Sequence, residues 1–439
     1  MRIERRLETP SWLSVAVPVV SIALALVSGA IVLLVTGHDP LNTYWRLLDR
    51  GFLTEGGLSA ALVTATPLLF TGLAAAVAFR MRLWNIGAEG QLYMGAVGAS
   101  GIGIALSGEP SAIVIPAMVA GGLLLGSAWG AIPGVLRAYA NTNEIITSLM
   151  LNYVAGLLIS YLIFGSRSFW RDLSPAAATF PQGKWLGDSA SWPTWLTHIT
   201  PALVALTVVV IVGAASLATA WIRERRTTQR WWRRGAVLLA SALVALVWAL
   251  TTPSLVIVVP LGFLVGTALA VGLHLLNSNT KFGFEVRVIG DSVPAARYAG
   301  MWTRRKVVAV MALSGGVAGI GGASQIGDFG HTLDPRGLQQ SGFGYMGIVV
   351  AALARTSPLG VVIVSVLLGG LANAGFSLQG PDFPAGLVGM LQGLILFFAI
   401  GGEILARYRV RLDRQRPAST APVHSSASPS PVIGMAGPE

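Results

Sequence analysis

The stretch SAIVIPAMVAGGLLLGSAWGAIPGVL, residues 111–136, contains no charged side chain. A helix needs about 20 apolar residues to cross the hydrocarbon of a bilayer, so this run alone is long enough to span one. Its glycines and alanines let a second helix lie close, as expected where helices meet in lipid rather than in water. Arg137 follows it immediately, and a basic residue at the end of an apolar run marks the cytoplasmic side.

The pattern recurs outward in both directions, with apolar runs near 12–36, 58–79, 86–107, 111–136, 145–165, 201–222, 235–251, 254–276, 307–327, 343–356, 358–376 and 386–406. The run 235–251 is short, and 343–356 is too short to cross upright and reads as a re-entrant segment. The expectation is an all-α polytopic membrane protein with ten to twelve transmembrane helices. Composition agrees, since only 11% of the 439 residues are charged and 54% are hydrophobic, too few charges to clothe a soluble chain of this length. Cysteine is absent, which excludes disulfides, thiol catalysis and Cys-based metal or iron–sulfur sites.

The net charge of +11 is spread between the apolar runs, so it reports topology rather than a nucleic-acid surface. With the N-terminus inside, 24 of the 30 Lys and Arg residues fall in cytoplasmic segments, which places both termini in the cytoplasm. The chain then divides into a cytoplasmic N-terminus (1–11), a transmembrane domain (12–406) with a large inner loop at 277–306, and a cytoplasmic tail (407–439), Pro/Ser/Ala-rich and expected to be disordered from about 417. Ser28-Gly29-Ala30 faintly resembles a signal-peptidase site, but the apolar run continues to Thr36, so the first helix reads as uncleaved.

Gln91-Leu92-Tyr93-Met94-Gly95-Ala96-Val97 and Phe343-Gly344-Tyr345-Met346-Gly347-Ile348-Val349 resemble each other, and each precedes a Gly/Ala-rich run, a Pro and a further span. An internally duplicated transporter would give this pattern, although Gly-rich helices also look alike by chance.

Three lysines, at 184, 281 and 306, sit in no Gly-x-x-x-x-Gly-Lys context, so a Walker A site is excluded and any ATP must be hydrolysed by another chain. Carboxylates at or within spans are Glu89, Glu144 and Glu403, sparse for a proton relay. Glu89, in Asn85-Ile86-Gly87-Ala88-Glu89-Gly90-Gln91, marks broken or closely packed backbone. It reads either as a pathway-lining gate or as a helix cap. Asn143 and Glu144 cap the 145–165 span, and Asn152 lies two turns inside it, facing a helix or a polar cavity. No His-Glu-x-x-His occurs and the five histidines are scattered, so neither a metal site nor a cofactor is expected. In the inner loop, Gly290 ends one element, Asp291 or Ser292 can cap a short helix from Pro294, and Ala295, Ala296 and Ala299 give that helix a small-residue face on which another protein can lie.

The run from Gly290 through Asp291, Pro294, Ala295, Ala296, Arg297 and Tyr298 to Gly300 resembles the coupling loop of permease subunits of ABC importers for simple sugars and nucleosides. Asn85–Gln91, the Asn143-Glu144-Ile145-Ile146 and Met150-Leu151-Asn152-Tyr153 pair, Leu313–Gly319 and Gly344–Leu353 are similar to further signatures of that family in the same order. The resemblance covers most of 70–405; Asp291-Ser292-Val293 departs from the pattern before Pro294, and 201–253 is longer than usual.

The resemblance implies an importer that is not itself an enzyme, in a bacterial cytoplasmic membrane. Its implied partners are ABC ATPase subunits, a second permease chain and an extracytoplasmic solute-binding protein, with no nucleic acid. It implies that Gly290, Asp291, Pro294, Ala295, Ala296, Arg297 and Gly300 couple to the ATPase, and that Asn85, Glu89, Gln91, Tyr93, Asn143, Glu144 and Asn152 line the solute path. A proton-driven secondary transporter of a small polar solute is the alternative reading, and an intramembrane enzyme using Glu89 lacks a nucleophile–base pair.

Overall fold

The computed structural model describes residues 2–5, 13–177, 179–199, 255–379, 383 and 386–411. Helices dominate. The first half comprises α1 (Leu13–Val35), α2 (Pro40–Leu48), α3 (Gly57–Arg80), α4 (Ala88–Ala105), α5 (Ser111–Ala140) and α6 (Glu144–Ser160). The second comprises α7 (Leu261–Asn279), α8 (Lys281–Asp291), α9 (Val293–Tyr298), α10 (Thr303–Ser324), α11 (Pro335–Ser341), α12 (Phe343–Leu353), α13 (Pro358–Ser377) and α14 (Leu387–Arg407). Among the described residues, six helices are long and apolar enough to cross a membrane: those over 57–80, 111–140, 144–165, 261–279, 303–330 and 358–377. The expected runs at 201–222 and 235–251 lie outside the described residues, as does the tail beyond 411.

One expectation changes in detail, and one short run is as expected. The run read as a span from 254 begins as a strand, Leu255–Pro260, paired antiparallel with Thr194–Ile199, and its helix starts only at Leu261. The β-branched Val256-Ile257-Val258-Val259 favours the strand, and Pro260, at the N-cap, opens the helix. The 343–356 run is an 11-residue helix, about 16 Å long, too short to cross. A second antiparallel ribbon pairs Arg2–Arg5 with Tyr408–Arg411 and so brings the two ends of the described chain together.

α3 and α10 form the centre, with 78% and 72% of their apolar windows buried, against 28% for α5, α6 and α7. They run antiparallel: Gly321 lies against Phe70, and Ser314 donates to the Ala74 carbonyl at 2.6 Å. α10 packs on α4 and α5, while α3 packs on α12 and α13. The α5–α10 seam is a ladder of glycines four apart, Gly122, Gly126 and Gly130 facing Gly319, Gly315 and Met311. A Cβ on Gly126 would lie 2.5 Å from the Gly315 carbonyl oxygen, so only glycine allows the backbones this close. In lipid, where apolar burial gives helices little reason to associate, such contact supplies the attraction.

Candidate functional site

The chain leaving α3 at Arg80 turns back into the bundle before α4 begins. Residues 83–87 are not helical, and Asn85 is fully buried beside the middle of α10. This is the broken backbone expected around Glu89, and at membrane depth its peptide groups need partners from the protein. Side chains provide them. Gly87 N–H donates to Asn85 Oδ1 at 2.9 Å, Ile86 N–H to Ser148 Oγ at 3.2 Å, and Gly90 N–H to Asn152 Oδ1 at 2.9 Å. Asn152 Nδ2 returns a bond to the Ile86 carbonyl at 2.8 Å. The amides of Asn85 and Gln91 pair reciprocally, Nδ2 to Oε1 at 2.9 Å and Nε2 to Oδ1 at 3.0 Å, and Asn85 Nδ2 also donates to Ser314 Oγ at 2.8 Å.

α12 begins at the same place, so the N-termini of α4 and α12 face each other. Both carry unpaired N–H groups and the positive ends of helix dipoles. Glu89, in the first turn of α4, lies between them: one carboxylate oxygen accepts from the Gly344 N–H and the other from the Tyr93 hydroxyl at 2.6 Å. Across the joint, Thr71 of α3 donates to the Phe343 carbonyl at 2.9 Å.

Asn85, Glu89, Gln91, Tyr93 and Asn152 are thus gathered into one cluster, each at most 4% exposed. Their polar groups are paired with one another and with backbone, which is the work of a clamp. Asn143 and Glu144 are elsewhere, at the far end of α6: Asn143 caps the helix through the Ile145 N–H at 2.9 Å, and Glu144 pairs with Arg137 at 3.3 Å. Sequence reasoning missed Ser148, Ser314 and Gly344. Ser148 lies one turn before Asn152 on the same face, the one signal available for it. It also missed Asp328, in the turn of helix just past the C-terminal end of α10, which accepts from Ser324 Oγ at 2.6 Å and caps α7 through the Gly262 N–H at 3.1 Å. Among the described residues no group of His, Cys, Asp and Glu could hold a metal ion.

The segment after α7 forms two short helices. Thr280 caps α8 through the Gly283 N–H at 3.2 Å, and Ser292 caps α9 through the Ala295 N–H at 3.3 Å. Asp291 is therefore the last residue of α8 rather than the cap, and its carboxylate pairs with Arg82 at 3.1 Å. Glu285 ties α8 to α10 through Lys306 at 2.5 Å, and that ammonium, with Lys281 beside it, holds the Glu285 carboxyl below its usual range. Gly290 packs on the Arg80 carbonyl, where a Cβ would lie 2.8 Å from the oxygen. Of the three alanines expected on a docking face, Ala295 and Ala299 are exposed, but Ala296 is 0% exposed and belongs to the core beneath α9. Six residues of helix cannot turn every alanine outward. The exposed face holds Pro294, Ala295, Arg297, Tyr298 and Ala299, with Tyr298 96% exposed and Gly300 at φ 74° ending the turn.

Comparison with known proteins agrees with this architecture. The chain is 29% identical to the glucose ABC transporter permease TsgB13 of Haloferax volcanii over 97% of each chain. It is 28% identical to the guanosine ABC transporter permease NupP of Bacillus subtilis, over 87% of this chain and 92% of that one. With the nucleoside ABC transporter permease NupB of Lactococcus lactis the identity is 25%, over 88% and 90%. No solved structure matches. Residues 57–400 match the family described as the permease component of branched-chain amino acid transport systems, and the chain belongs to that family of transporter permeases.

Proposed function

We propose that this chain is the membrane-spanning permease subunit of an ABC importer for a nucleoside or simple sugar in the cytoplasmic membrane of a bacterium. The observation that carries the reading is the α8–α9 pair. It is a capped helical knob with an exposed face at Pro294, Ala295, Arg297 and Tyr298, fixed to α10 by Glu285–Lys306 and to the start of the α4 segment by Arg82–Asp291. A separate ATPase pressing on such a knob moves it as a rigid lever against two elements of the bundle. Motion at Arg82 reaches Asn85 and the Glu89 joint within a few residues of chain. The solute class rests on the relatives named for glucose, guanosine and nucleosides.

Both termini are cytoplasmic in this reading, which the pairing of Arg2–Arg5 with Tyr408–Arg411 supports. The antiparallel centre, with α3 carrying α12 and α13 and α10 carrying α4 and α5, supports an internal duplication with the two copies inverted. Ten to twelve transmembrane helices, a second permease subunit and an extracytoplasmic solute-binding protein complete the proposal.

The test is reconstitution into liposomes with and without the ATPase subunits and binding protein. Uptake of labelled nucleoside or hexose that requires ATP and those partners is the expected result. Uptake by this chain alone under a proton gradient would overturn the proposal in favour of a secondary transporter.

A further inference from the structure

Among the described residues, five buried side-chain polar atoms have no hydrogen-bond partner, and Gln392 Nε2 is one of them. Gln392 lies on α14, 2% exposed, and lines a half-open cavity of about 170 Å³ between α3, α12, α13 and α14. One water needs about 10–15 Å³, so the space holds a molecule of many heavy atoms. Its wall is mixed. Phe343 and Phe376 supply aromatic surface, while Thr64, Ser341 and Gln379 add polar groups around the Gln392 amide. A lipid chain would leave that amide without an acceptor, whereas buried amides are ordinarily paired.

Position points the same way. The cavity is formed by the first half of α3, the start of α12, the end of α13 and the start of α14. In the topology proposed above, all four of these ends face outward. Phe343 in its wall directly precedes Gly344, the partner of Glu89, so an occupant bears on the joint between α4 and α12.

We propose that this cavity is a solute subsite for a neutral ring compound bearing hydroxyl or carbonyl oxygens. One oxygen accepts a hydrogen bond from the Gln392 amide, and an apolar face of the ring lies on Phe343 and Phe376. The inference rests on the importer reading for its outward orientation and for the identity of the occupant as cargo.

The absence of cysteine makes the site directly addressable. A Cβ at Gly389, on the cavity wall, would meet nothing within 4 Å, so Gly389→Cys places a single thiol in open space. The assembled transporter carrying it is labelled in right-side-out vesicles with a membrane-impermeant thiol reagent, in the presence of a hexose, a nucleoside or mannitol. The expected result is labelling from outside, slowed at least about fivefold by one of the two ring solutes and not by mannitol, with the protection lost when Gln392→Leu is added. In uptake assays on the cysteine-free chain, Gln392→Leu raises KM about tenfold, the loss of a donor the site was built around.

Labelling that no solute slows, or that only removal of lipid permits, overturns the subsite, as does an unchanged KM in Gln392→Leu. Protection that persists in a protein showing no ATP-dependent uptake upholds the site and overturns the importer reading instead.

Discussion

Glu89 of α4 accepts a hydrogen bond from the backbone N–H of Gly344, 255 residues further along the chain, at the point where the N-termini of α4 and α12 meet. The carboxylate answers two like-signed helix ends at once. Glu89→Gln removes the charge and keeps an acceptor for only one of the two donors: its oxygen can still take the Gly344 N–H, while its amide nitrogen faces Tyr93, whose hydroxyl must turn to accept; the expected cost is about 1–2 kcal/mol. Glu89→Leu leaves both donors buried and unpaired, at about 1–3 kcal/mol each. Thermal unfolding of the purified protein in detergent should rank wild type, Gln and Leu in that order; equal midpoints for Gln and Leu would show that hydrogen bonding at the joint does not matter.

Asn152 makes the complementary test on the other side of the break. It holds Gly90 N–H and the Ile86 carbonyl, so Asn152→Ala strands two buried backbone groups and should lower stability by about 2–4 kcal/mol. Asn143→Ala, nine residues earlier on α6, removes only a cap and should cost about 1 kcal/mol. Similar losses for the two, measured by the same unfolding assay, would contradict the clamp.

At the α5–α10 seam, Gly126→Leu drives a side chain into the Gly315 carbonyl. The helices must separate along their whole ladder, and the expected cost is at least about 3 kcal/mol, read as loss of monodisperse protein after extraction. Gly108→Leu, at a glycine with nothing within 4 Å, is the matched control and should behave as wild type.

The α8–α9 knob separates a structural alanine from an exposed tyrosine. Ala296→Asp buries a charge in the core and should prevent stable folding. Tyr298→Ala should change stability by no more than about 0.5 kcal/mol while reducing ATP-driven uptake at least about tenfold. Full uptake by Tyr298→Ala would remove the exposed face from the coupling role.

The Glu285–Lys306 pair gives a pH dependence with a definite sign. Its carboxyl is held below the usual range when folded, so the unfolded chain binds the proton first. The stabilisation is complete above the unfolded value near pH 4.3 and is lost as pH falls through the lower folded value. Lys306→Met should abolish that part of the acid dependence, seen as a flatter plot of unfolding midpoint against pH between about 3 and 5.

The sequence by itself determined that this chain lives in lipid and where most of its described helices lie, and it singled out the segments around Glu89, Asn152 and Pro294. Those conclusions depend on local quantities: the length of an apolar run, the spacing of glycines, and capping residues ahead of a helix. Only the tertiary structure decided how those segments are arranged. That Glu89 meets Gly344, that Asn152 bonds the broken backbone at Ile86 and Gly90, that Ala296 turns inward while Tyr298 turns out, and that Gln392 Nε2 has no partner among the described residues all depend on residues distant in the chain. No local pattern encodes them, because burial and hydrogen-bond pairing are fixed by which helices pack together, and Gly- and Ala-rich helices of similar composition can pack in many ways until the whole bundle selects one.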